Sequence, residues 1–75
     1  MTERQFKKLT KKYKDILSRH SLIAVLDWNN VLSRVVIAFH EEGSLKSVWS
    51  TWDYKRAEHW LKNGCNRNAL RNYGG

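Results

Sequence analysis

The chain has 75 residues, nine of them aromatic, and carries fourteen Lys and Arg against seven Asp and Glu, a formal charge of +7. A chain this short buries only about 60% of its unfolded surface, which leaves room for one small domain whose tryptophans fill much of the core. A lone cysteine, Cys65, excludes an internal disulfide, and no apolar run approaches the roughly 20 residues of a membrane span.

Residues 2–20 read as one helix. Phe6, Leu9, Tyr13, Ile16, Leu17 and His20 recur at helical spacing and form an apolar seam. Arg4, Lys7, Lys8, Lys11, Lys14 and Arg19 point the other way, with Lys12 on the flank and only Glu3 and Asp15 opposing them. Thr2 and Gln5 have the spacing of a capping box. A face of one sign exceeds what solubility needs and suggests an anionic partner.

Leu22 to Leu26 is a continuous apolar run that suits a buried strand, followed by Asn29-Asn30, which suits a tight hairpin turn. Arg34 to His40 is rich in β-branched residues, Glu41-Glu42-Gly43-Ser44 reads as a second turn, and Leu45 to Trp52 as a third strand. Trp49 and Trp52 lie three apart on that strand, so they face opposite sides and one of them lies outside the main core. Trp28, Val31, Leu32, Val35, Val36 and Phe39 also fit a helical stripe, which leaves a small all-α bundle as the alternative. The β-branched density and the two turns at hairpin spacing favour strands.

Asp53 caps a second helix whose buried stripe is Tyr54, Ala57, Trp60 and Leu61, and Gly64 ends it in the left-handed conformation. The expected architecture is α+β, helix, three-stranded antiparallel sheet and helix, with both helices on one face of the sheet. The domain spans residues 1–64, and residues 65–75 form a basic tail rich in Asn and Arg. This order of elements resembles that of double-stranded-RNA-binding domains. Lys55 and Ala57 match the Lys-Lys-x-Ala-Lys start of their last helix, whereas Tyr54 and Glu58 stand where lysines are expected. The loop signals of those domains are missing, so the likeness is one of topology.

The expected function is a small, non-catalytic nucleic-acid-binding module, for DNA or RNA. Arg4, Lys7, Lys8, Lys11 and Lys14 supply phosphate contacts, joined by Lys55, Arg56 and Lys62 on the second helix and by Arg67 and Arg71 in the tail. Selectivity falls to the tail and to the open sheet face, where Trp49 or Trp52 is the stacking aromatic. The alternative is an inhibitor of the phage or mobile-element type (anti-CRISPR or host-takeover class) that docks on a protein or nucleoprotein target, with Trp and Arg as anchors. His40-Glu41-Glu42 lacks an oriented partner at recognisable spacing, and Cys65 follows a helix C-terminus, where the dipole disfavours a thiolate. Neither supports catalysis. No cofactor, metal or membrane partner is expected, and the lone cysteine with no signal-peptide core fits a cytoplasmic protein.

Overall fold

The computed structural model describes residues 1–66. The elements run α1 (Glu3–Lys12), α2 (Lys14–Arg19), β1 (Leu22–Asn29), β2 (Arg34–Glu41), β3 (Ser47–Thr51) and α3 (Tyr54–Lys62). The strands form one antiparallel sheet in the order β1-β2-β3. The protein is α+β and not a helical bundle, because the Trp28 to Phe39 segment folds as a hairpin.

The first helix starts where its capping box places it. Thr2 Oγ1 accepts from the Gln5 amide at 3.1 Å, and Gln5 Oε1 accepts from the Thr2 amide at 3.0 Å. The single helix expected over residues 2–20 is divided at Tyr13, whose φ of −110° and ψ of 24° leave the helical region. The bonds from Tyr13 N to Leu9 O and from Leu17 N to Tyr13 O persist at 3.0 Å, so the arm bends rather than breaks. Leu9, Tyr13 and Leu17 remain its buried row.

β1 and β2 pair without interruption from Leu22↔Glu41 to Asn29↔Arg34. The turn between them has four residues, not the two expected from Asn29-Asn30. The positive φ of 52° falls on Ser33, and Asn29 Oδ1 instead accepts from the Leu32 amide at 2.9 Å. The second turn uses Gly43 at φ +80°. β3 is shorter than expected, since a register shift opposite Phe39 and His40 interrupts its pairing before Leu45.

Pairing register sorts the side chains into two faces. Leu22, Ala24, Leu26, Ile37, Phe39, Trp49 and Thr51 point toward the helices, and Ile23, Val25, Val36, Ala38 and Arg34 point away, with Trp52, just past β3, on the Arg34 side. On the helix side, Phe39, Trp49 and Trp60 form the centre of the core. The two indoles stack at 4.8 Å with 6° between their planes, and Phe39 lies 4.7 Å from Trp60. Leu9, Leu17 and Leu61 close around them.

α3 is capped by Asp53, whose Oδ1 accepts from the Lys55 amide at 3.1 Å. It ends in a Schellman motif: Cys65 N donates to Trp60 O at 3.0 Å and Gly64 N to Leu61 O at 3.3 Å, with Gly64 at φ +83°. The expected boundary at residue 64 falls at this motif. Cys65 is buried in the core and the Asn66 carbonyl accepts from Trp60 Nε1 at 2.9 Å, so both residues belong to the domain.

Candidate nucleic-acid interface

α1 is set on the sheet by Leu9, with Phe6 packing beside it. At about 100° per residue, Arg4, Lys7, Lys8 and Lys11 then fall within an arc of about 100° on the opposite side. All four side chains are exposed. Lys7 meets Glu3 at 3.2 Å, an exposed pair of the kind that contributes only about 0.3–0.5 kcal/mol and competes weakly with an anionic ligand. Because the arm bends at Tyr13, this face is about 15 Å long rather than the length of a 19-residue rod. Lys14 lies past the bend, beside the edge of β1.

α3 lies beside α1 and adds cations to the same layer. Lys55 and Lys62 are on its outer side, while Ala57, Trp60 and Leu61 face the core. Arg56 is exposed as well, on the flank away from Glu58. The seam between the helices is closed by Glu58, whose Oε2 accepts from Lys12 Nζ at 2.9 Å and from the Tyr13 hydroxyl at 2.8 Å. The Lys12 ammonium, then the Tyr13 hydroxyl, hold the Glu58 carboxyl below the usual carboxylate range. The same carboxylate raises Lys12, and burial, followed by the bond to Glu58, raises Tyr13. Lys12 is therefore occupied within the fold, whereas Arg4, Lys8, Lys11, Lys14, Lys55 and Lys62 make no ion pair among the described residues.

Trp49 is 2% exposed and stacked on Trp60, so its ring is withdrawn from any partner and its place among the candidate interface aromatics is corrected. Trp52 is the aromatic outside the core, 42% exposed, with the Arg34 guanidinium 4.3 Å from its ring centroid. It lies on the open face of the sheet, turned away from the lysines of α1. The whole helix-sheet sandwich separates the two surfaces, so one ligand segment seated on α1 does not also stack on Trp52. Arg67 and Arg71 lie outside the described residues. His40 points to the open face and Glu41 to the helix side, as their alternation on β2 requires.

From the sequence Glu58 stands out only as an acid where a lysine is expected, among Lys55, Arg56 and Lys62; its tie to Lys12 and Tyr13 has no sequence signal. The apolar hairpin tip was also missed: Trp28 is 57% and Val31 92% exposed. Alternation along β1 assigns Trp28 to the helix side, where it is nonetheless left largely exposed although the Met1 ammonium donates to the carbonyl of its cross-strand partner Val35 at 3.0 Å.

Compared with protein-family models, with curated proteins and with solved structures, the chain matches none. Among the described residues no helix is long and apolar enough to cross a membrane, and no group of three or more His, Cys, Asp or Glu is placed to hold a metal.

Proposed function

We propose that this protein is a small nucleic-acid-binding module that grips phosphates with the outer surface of its helix layer. The observation that carries this reading is the set Arg4, Lys7, Lys8 and Lys11, exposed on one arc of α1 and, among the described residues, ion-paired only in the weak Lys7–Glu3 contact. Lys55 and Lys62 widen the surface. Fixed cations at helical spacing displace condensed counterions, and the released ions drive binding. With four or five such contacts, log affinity falls with log salt at a slope of roughly −3 to −4.5.

The test is binding to unrelated duplex and single-stranded oligonucleotides across a salt series. A dissociation constant tighter than about 10 μM at physiological salt, with that slope, supports the reading. Absence of binding even at low salt overturns it.

One observation favours a second reading, an inhibitor or adaptor that docks on a protein or nucleoprotein target. Val31 and Leu32 are exposed at the tip of the first hairpin, an apolar patch that phosphate binding does not use. Binding to such a target persists at high salt, because apolar contact releases no counterions.

A further inference from the structure

β1 is an outer strand of the sheet formed by the described residues, and it lacks the usual guards against pairing. It runs eight residues with no Pro, Gly or Lys, pairs with β2 without a bulge and carries one charge, Asp27. β3, the other outer strand, is five residues long and its pairing is broken by a register shift.

The backbone direction on β1 follows from one bond. Glu42 N donates to Ser21 O at 3.0 Å, so Ser21, Ile23, Val25, Asp27 and Asn29 hydrogen-bond inward to β2. Leu22, Ala24, Leu26 and Trp28 then turn their N–H and C=O groups outward, along the edge, where the Trp28 N–H donates to Asp27 Oδ1 at 2.9 Å.

Beside that edge lies a groove of about 450 Å³, between the helical arm and the first half of β1. Phe6, Leu17, Leu22 and Ala24 give it an apolar floor, and Lys14 stands at its rim. At the other end of the same strand Trp28 points to the same side of the sheet and is 57% exposed. Among the described residues, one strand thus carries both a groove and an exposed indole.

We propose that this edge pairs with β1 of a second copy of the chain, antiparallel about a two-fold axis through Val25. In that register Leu22 meets Trp28 of the second copy, and Ala24 meets Leu26. Every outward backbone group then finds a partner, the Trp28 amide exchanging Asp27 Oδ1 for the Leu22 carbonyl of the second copy. Each Trp28 enters the other copy's groove, its face toward the Lys14 ammonium. The match is self-complementary, as a two-fold interface requires. The charge also fits, because β1 carries only Asp27 and so avoids the repulsion that +7 imposes on the helix layers. The axis is perpendicular to the sheet, so both lysine faces come to the same side of the paired sheets.

A pair of eight-residue strands with two seated indoles lies near the small end of the stable interface range, about 1,200–2,000 Å², so a dissociation constant on the order of 10 μM is expected. Sedimentation velocity of the full chain without nucleic acid, from about 1 μM to 500 μM, spans that equilibrium. The expected result is a shift from monomer to dimer. Val25 faces Val25 across the axis, so Val25→Lys and Val25→Glu each weaken the dimer at least about tenfold by placing like charges together. An equimolar mixture of the two restores it as a heterodimer. Trp28→Glu, at an exposed position, weakens it similarly, and circular dichroism confirms that each variant is folded. A monomer throughout, or a dimer indifferent to all three substitutions, overturns the proposal. Either outcome leaves the oligonucleotide titration standing, since that is measured separately.

Discussion

The outer surface of the helix layer and the open face of the sheet are built from the same short chain, yet they offer opposite chemistry. The helix layer carries Arg4, Lys7, Lys8, Lys11, Lys55 and Lys62, and two of its acids, Glu3 and Glu58, are engaged by Lys7 and Lys12. The other face of the sheet exposes Ile23, Val25 and Trp52, with Arg34 folded over the indole, while Val36 and Ala38 between them are buried. The difference shows where charge is spare. In the sheet, Arg34 is held by a neighbour; on α1, Arg4, Lys8 and Lys11 make no ion pair among the described residues, and exposed charges of this kind contribute little to folding. Spare charge on a small domain is available for binding, and spare apolar strand is available for pairing.

Four perturbations break or sharpen that contrast. The largest is Trp60→Ala, which removes the ring that joins Phe39 and Trp49 to α3. Stability falls by about 3–5 kcal/mol, enough to unfold so small a domain and abolish both surfaces at once. Thermal melting followed by circular dichroism reads this directly.

Lys7→Glu combined with Lys11→Glu comes next. Oligonucleotide affinity at about 50 mM salt falls at least tenfold and the salt slope becomes shallower by about 2, while unfolding free energy changes by no more than about 0.5 kcal/mol. A stability loss of several kcal/mol would assign those lysines to the fold instead.

A smaller effect is expected at the seam. The Glu58 carboxyl is depressed, so its contribution to stability is present at neutral pH and is lost as pH falls through its folded value, below the usual carboxylate range. Lys12 and Tyr13 are raised, so their contributions are lost only as pH rises through alkaline values. Glu58→Gln removes the acid limb of a stability-against-pH curve and reduces the alkaline one, where burial still raises Tyr13. Unchanged limbs would show that the seam contributes nothing.

The smallest is Trp52→Ala. Loss of its contact with Arg34 costs about 0.5–1 kcal/mol, and oligonucleotide affinity stays within about twofold. A larger loss of affinity would move the binding surface to the sheet.

Much of this fold was legible because local signals agreed. Thr2 and Gln5, Asp53 and Gly64 marked helix ends by chemistry that depends on a few neighbouring residues, and β-branched density separated strand from helix at Val35, Val36 and Ile37. The opposed directions of Trp49 and Trp52 followed from strand alternation alone, although which one is buried did not. That depends on where α3 docks, and Trp60 settles it by stacking on Trp49. The bend at Tyr13 was not legible, because nothing in that stretch breaks a helix. Glu58 in its tie to Lys12 and Tyr13 spans 46 and 45 residues of sequence, a separation that periodicity cannot see. The cationic arc of α1 was visible from spacing, but which of its cations are paired is a fact about partners: Lys7 meets Glu3, whereas Arg4, Lys8 and Lys11 make no ion pair among the described residues.

The central claim is that a polyanion is held by the helix layer and not by the sheet. Backbone amide shifts recorded while an unrelated oligonucleotide is titrated into the full chain test it most directly. The account predicts the largest changes at Arg4, Lys7, Lys8 and Lys11, with smaller ones at Lys55 and Lys62. Changes concentrated at Val25, Arg34 and Trp52, with α1 unmoved, would contradict it.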